Sequence, residues 1–101
     1  VKQSIYSIKF IPESADELQD SALWYEDQKR GLGSNFMLSI EATLDSIQRN
    51  PFLFPIVRNQ TRRAVVKRFP YSVFYQIDHD VIIVLAVFHM SRDPEILTTR
   101  F

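Results

Sequence analysis

The chain has no cysteine. That excludes a disulfide framework, a thiolate zinc site and a thiol nucleophile, and it fits a reducing compartment. Glycine is nearly missing as well, with Gly31 and Gly33 the only two. No glycine-rich phosphate loop, His-Glu-x-x-His helix or Gly-x-Ser-x-Gly elbow is present. No apolar run approaches the length of a membrane-spanning helix; the longest is Val81 to Phe88. No basic stretch leads into an apolar one near the start, so no secretory signal and a cytoplasmic location are expected. An excess of charge is missing too: 12 basic side chains balance 12 acidic ones. There is no internal repeat and no low-complexity stretch. What remains is 101 residues, 46% hydrophobic and 24% charged, the composition of one globular domain over residues 1–101 with a single modest core.

The zero balance hides a split. Residues 1–50 carry five basic and eight acidic side chains, and residues 51–101 carry seven and four. Arg58, Arg62, Arg63, Lys67 and Arg68 fall in one stretch without an acid. One cationic face is therefore expected.

Alternation over Ile5 to Ile11 predicts a strand whose apolar side is Tyr6, Ile8 and Phe10, stopped by Pro12. Ser14 and Glu17 have capping-box spacing, and Ala15, Leu18, Ala22 and Tyr25 follow at helical intervals. A helix from Ser14 to about Lys29 is predicted. Gly31 suits the end of that helix, where a positive φ costs a glycine little. Ser34 is a candidate cap for a second helix carrying Phe36, Ile40, Leu44 and Ile47 and ending before Asn50-Pro51. Pro51 to Thr61 reads as loop. Strands are predicted at Arg63–Phe69, Ser72–Ile77 and Val81–His89, the last two joined by a hairpin at Asp78-His79-Asp80. The tail from Glu95 to Phe101 is open between a short strand and a fringe. The order β-α-α-β-β-β predicts an α+β fold, a helix hairpin packed on a small, mostly antiparallel four-stranded sheet.

His79 and His89 lack the neighbours of a metal site, so neither a metal nor a cofactor is expected. His89 and Arg92 stand just past the end of the most apolar strand, where a rigid sheet can hold functional groups. The bland alternative has His89 bonded to a backbone carbonyl and Arg92 paired with Asp93 or a helix acid. Arg62, Arg63, Lys67 and Arg68 bracket a strand, and alternation would put Arg63 and Lys67 on one face. Tyr71, Phe74 and Tyr75 nearby are core packing or stacking groups for nucleic acid. Trp24 lies off the core stripe to which Tyr25 belongs.

Taken in order, Trp24-Tyr25-Glu26, Gly31-Leu32-Gly33 leading into Phe36, Pro51 and Pro55, Phe69-Pro70-Tyr71 through Tyr75, and Ala86-Val87-Phe88-His89 with Arg92-Asp93-Pro94 resemble the RelE/ParE superfamily of type II toxins. The resemblance covers about residues 4–95. It implies a toxin of the plasmid-stabilisation type, neutralised by a cognate antitoxin encoded beside it. RelE-like members cleave mRNA in the ribosomal A site. ParE-like members poison DNA gyrase, and no catalytic residues are established for them. The strand position where several RelE-like nucleases carry a catalytic arginine holds Tyr71, and the position after His89, where some carry a tyrosine, holds Met90. The Phe-Pro-Tyr and Trp-Tyr-Glu elements are more ParE-like, so that branch and gyrase are the favoured expectation. The alternatives are a ribosome-dependent endoribonuclease, with His89 and Arg92 catalytic, and an inactive member. The surface expected to meet gyrase or nucleic acid comprises Arg62, Arg63, Lys67, Arg68, Tyr71, Tyr75, His89 and Arg92.

Overall fold

Pro12 sets the first boundary. It has no N–H for a ladder, but its fixed φ suits the first turn of a helix. In the computed structural model, which describes residues 5–100, β1 (Ser7–Phe10) stops short of it and α1 (Pro12–Gln28) begins on it. The strand is thus shorter than expected, and the helix starts before Ser14. Ile11 takes the cap position without a side-chain bond. Ser14 is fully buried; its hydroxyl donates to the Val84 carbonyl at 2.7 Å, with the Ile11 carbonyl also in reach at 2.9 Å. The capping box is not formed, because both of its members bond to the sheet instead.

After α1, Gly31 adopts a φ of +88°, the left-handed conformation that glycine reaches at least cost. It also caps α2 (Leu32–Arg49), which therefore starts ahead of the expected Ser34. Glu26 supplies what Ser34 does not. Its carboxylate accepts from the N–H of Gly31 at 2.9 Å and of Gly33 at 3.0 Å, satisfying donors that a helix start leaves free. Gly33 is needed for the close approach of the two helices, since a Cβ there would stand 2.6 Å from the Ala22 carbonyl oxygen. From α2, Phe36, Ile40, Thr43 and Ile47 are buried. Each of the larger apolar side chains contributes about 1.5–3 kcal/mol by leaving water.

Five strands form one sheet in the order β1-β5-β4-β3-β2. β2 (Ile56–Arg58) lies inside the segment expected to be loop and pairs with β3 (Thr61–Val65). Its three residues are all exposed, too few and too wet to show a period-2 pattern. β4 (Tyr71–Asp78) and β5 (Val81–His89) form the expected hairpin, with His79 at φ +56° in the turn. β1 runs parallel to β5, and the other pairings are antiparallel. Phe74 faces Ala86 and Tyr75 faces Val84, so Leu85 is an extra residue, a bulge.

The sheet has two unlike faces. Ala64, Tyr71, Val73, Tyr75, Ile82, Val84 and Val87 pack under the helices. Phe74, Leu85, Ala86 and Phe88 face the other way and are covered in part by Leu97, carried by a 3-10 turn at Pro94–Thr99. That turn replaces the strand-or-fringe alternative for the tail; Phe101 lies outside the described residues.

Candidate functional site

On the second sheet face a groove of about 540 Å³ opens beside the 3-10 turn. Phe74, Phe88, Leu97 and Ser72 form its floor, and Arg58, Arg63 and Arg92 stand around it. Arg63 has no ion pair among the described residues. Arg58 reaches across to Glu95 at 2.9 Å, and both side chains are exposed, so this pair holds either cation or ligand weakly. Arg92 lies over the Phe88 ring, 4.3 Å from its centroid, and donates to Glu17 at 3.1 Å. The bland reading of Arg92 as the partner of a helix acid is correct in that respect.

Glu17 is the residue that sequence reasoning missed. β1 ends at Phe10, so the far half of β5 has no strand on its β1 side. α1 and the tail complete that edge: Glu17 accepts from the Val87 N–H at 3.2 Å, and Arg100 donates to the Leu85 carbonyl at 2.9 Å. Arg100 also grips both oxygens of Glu17, at 2.8 and 3.0 Å. The only signal available beforehand was the acid at a capping-box position, which has a sufficient local explanation.

His89 ends β5 opposite Tyr71. Residues directly opposite share a sheet face, and successive residues alternate. The imidazole therefore belongs to the Tyr71 side, where it stands edge-on to that ring at 5.3 Å. Arg63, opposite Phe74, belongs to the other side. The His89 Nδ1 accepts from the Ser91 N–H at 3.0 Å and lies 2.8 Å from the Ser91 hydroxyl. A backbone N–H can only donate, so the neutral ring carries its proton on Nε2. His89 is exposed and lines one end of the groove.

The remaining expected site residues are dispersed. Arg62 donates to the carbonyls of Phe52 at 3.1 Å and Phe54 at 2.6 Å, fixing the loop before β2. Lys67 does not share a face with Arg63. It lies past the end of β3 with Arg68, both lining a second groove against α2. Tyr71 and Tyr75 are core residues, closed to stacking on a base. The Tyr75 hydroxyl donates to the Pro51 carbonyl at 2.6 Å, and burial pushes its pKa up to about 12, against a smaller opposing effect of Arg62. Tyr25 packs against Phe36, Phe69 and Tyr71, and its pKa is raised by burial and by Tyr71. Trp24 is exposed. His79 pairs with Asp78 in the hairpin turn, apart from all of these. Among the described residues no three His, Cys, Asp or Glu side chains gather as a metal site would need, and no helix is long and apolar enough to cross a membrane.

A helix pair packed on one face of a small mixed sheet is the architecture of the RelE/ParE superfamily of toxins. The chain belongs to the ParE family within it: the model for the ParE toxin of the parDE type II toxin–antitoxin system matches residues 8–94. Among solved structures it is similar to a chain from the chromosomal ParDE toxin–antitoxin system of P. aeruginosa. The TM-score is 0.74 and the identity 15%, over 86% of this chain and 98% of that one. Such an identity speaks to the fold alone. Curated proteins give no match to the sequence. Membership of the ParDE type implies an antitoxin as partner.

Proposed function

We propose that this toxin acts by binding and inhibiting DNA gyrase, in the cytoplasm, and that a cognate antitoxin neutralises it by binding. Protein recognition, not catalysis, is its chemistry. One observation carries the reading against RNA cleavage: of the groups lining the groove, His89, Arg92 and Arg58 are each already held by a neighbour within the chain. Cleavage through a 2′-hydroxyl needs a base, an acid and phosphate-holding cations converging on one phosphate. Here the imidazole is engaged by Ser91 through Nδ1, Arg92 by Glu17 and Arg58 by Glu95. The position beside His89 on the sheet is filled by the buried ring of Tyr71. The groove with Arg58, Arg63 and Arg92 over an apolar floor is instead suited to an acidic protein surface. Family membership supports the same branch.

Two assays test this. Added to gyrase with plasmid, the protein is expected to block supercoiling or trap cleavage complexes, and Arg63→Glu is expected to weaken that effect. Added to a programmed translation mix, it is expected to leave mRNA intact. A-site cuts lost in His89→Ala would overturn the proposal in favour of the nuclease, and silence in both assays would mark an inactive member.

A further inference from the structure

Single exposed apolar side chains are ordinary on a protein surface, but a group of them marks a contact site. In the connection from α2 into β2, Phe52 is 59% exposed and Leu53 70% exposed, and Ile56 and Val57 are exposed as well. Turn chemistry favours polar residues, glycine or proline at such a place. Pro51 and Pro55 meet that preference; the four apolar side chains do not.

The segment is also pinned. Its carbonyls are taken up by the sheet: Pro51 by the Tyr75 hydroxyl at 2.6 Å, Phe52 and Phe54 by Arg62 at 3.1 and 2.6 Å, and Pro55 by the Arg63 N–H at 3.0 Å. The Leu53 N–H closes a turn onto the Asn50 carbonyl at 3.2 Å. Pro51 is fully buried, and Phe54 packs inward against the core. The Arg62 guanidinium lies over the Phe52 ring, 5.3 Å from its centroid. Phe52 and Leu53 thus stand on a backbone fixed from beneath, and binding through them has little ordering entropy left to lose. Such an anchor suits a preformed pocket on a folded protein.

The charge around the segment is basic. Arg58, Arg62 and Arg63 follow it, and the sequence has no Asp or Glu between Asp45 and Asp78. Among the described residues, Glu95 at Arg58 is the one acid paired with these cations. Two copies of the chain facing each other here would set arginine against arginine, so the patch is not complementary to itself. β2 carries it round the sheet edge, where Val57 and Arg58 line the cationic groove. We propose that Phe52 and Leu53 are the apolar anchor of the gyrase contact. They enter an apolar pocket rimmed by carboxylates, while the arginines of the groove meet the acidic surface beside it. A few buried apolar side chains carry most of the energy of such an interface, and the charges set its orientation. The inference rests on the reading that gyrase is the target, and it names the residues that hold it.

The experiment measures the concentration of full chain that half-inhibits supercoiling by gyrase. The double variant Phe52→Ser/Leu53→Ser is expected to raise it by about tenfold or more. Leu53→Ser alone is expected to raise it too, and carries the test should the double variant fail to fold. Leu53→Met keeps the apolar bulk and is expected to inhibit as the unaltered chain does. Leu23→Ser, at a residue 58% exposed on α1, leaves inhibition unchanged. Circular dichroism of each variant checks that it is folded. Undiminished inhibition by the serine variants, or an equal loss in Leu23→Ser, overturns this inference and leaves the gyrase reading standing. So does a chain that sediments as a dimer and becomes a monomer on the serine changes, since a second copy would then cover the loop. No inhibition by the unaltered chain overturns both.

Discussion

Glu17 shows how much one side chain can hold. Its two oxygens accept four hydrogen bonds, one from the Val87 backbone, one from Arg92 and two from Arg100. The partners differ in burial: the Arg100 side chain is 9% exposed and that of Arg92 is 39%. Removing the charge of Glu17 leaves Arg100 enclosed without a counter-ion. Glu17→Gln is therefore expected to lower the unfolding free energy by about 3 kcal/mol in urea titration. Arg92→Ala is expected to cost below about 1 kcal/mol, because that pair is open to solvent. Tyr75 makes a prediction in pH. Its phenol titrates near 10.0 when unfolded and near about 12 when folded, so between those values the unfolded chain binds fewer protons. Its contribution to stability is full below pH 10 and is lost as the pH rises through 12. Tyr75→Phe should remove that part of the alkaline fall seen in pH-dependent denaturation. It should also cost about 1 kcal/mol at neutral pH, from the orphaned Pro51 carbonyl.

Secondary-structure elements were legible where a repeating pattern ran long enough to be seen. β5 has the expected boundaries and α2 the expected end, because their apolar residues repeat over many positions. β2 did not show because three exposed residues carry no pattern; pairing with β3 creates it. The helix starts were displaced for a different reason. Ser14 and Ser34 have the chemistry of caps, but Pro12 and Gly31 have the backbone geometry, and the geometry decided. The helix hairpin is closest at one contact. A methyl group on Gly33 would meet the backbone of α1 at Ala22, so Gly33→Ala is expected to separate the helices and cost about 1–3 kcal/mol. Gly31→Ala meets nothing within 4 Å and should cost about 1 kcal/mol, from its positive φ alone. Thermal unfolding of the two variants ranks them.

Across the whole molecule, the split of charge became a division of surfaces, though not the single cationic face expected. The basic stretch distributes over three places: Arg58 and Arg63 at the open sheet face, Arg62 in the loop it ties down, and Lys67 with Arg68 at the β3 edge. A ligand of either groove thus meets a few local cations over apolar floor. With no net charge, the protein has little long-range pull on a phosphate surface. That is the physical ground for expecting inhibition of a protein target in the gyrase assay and intact mRNA in the translation assay.

The succession of helices and strands, β2 and the 3-10 turn of the tail excepted, the apolar faces they bury and the family resemblance were settled by the order of the residues, because periodicity and local turn chemistry act over a few positions. The grouping of functional side chains was settled only by folding. The register of β5 on β4 sends His89 to the Tyr71 side. The early end of β1 turns Glu17 into the partner of Arg100, 83 positions away. Each of these is a contact between distant segments, and no local pattern encodes where one strand stops relative to another.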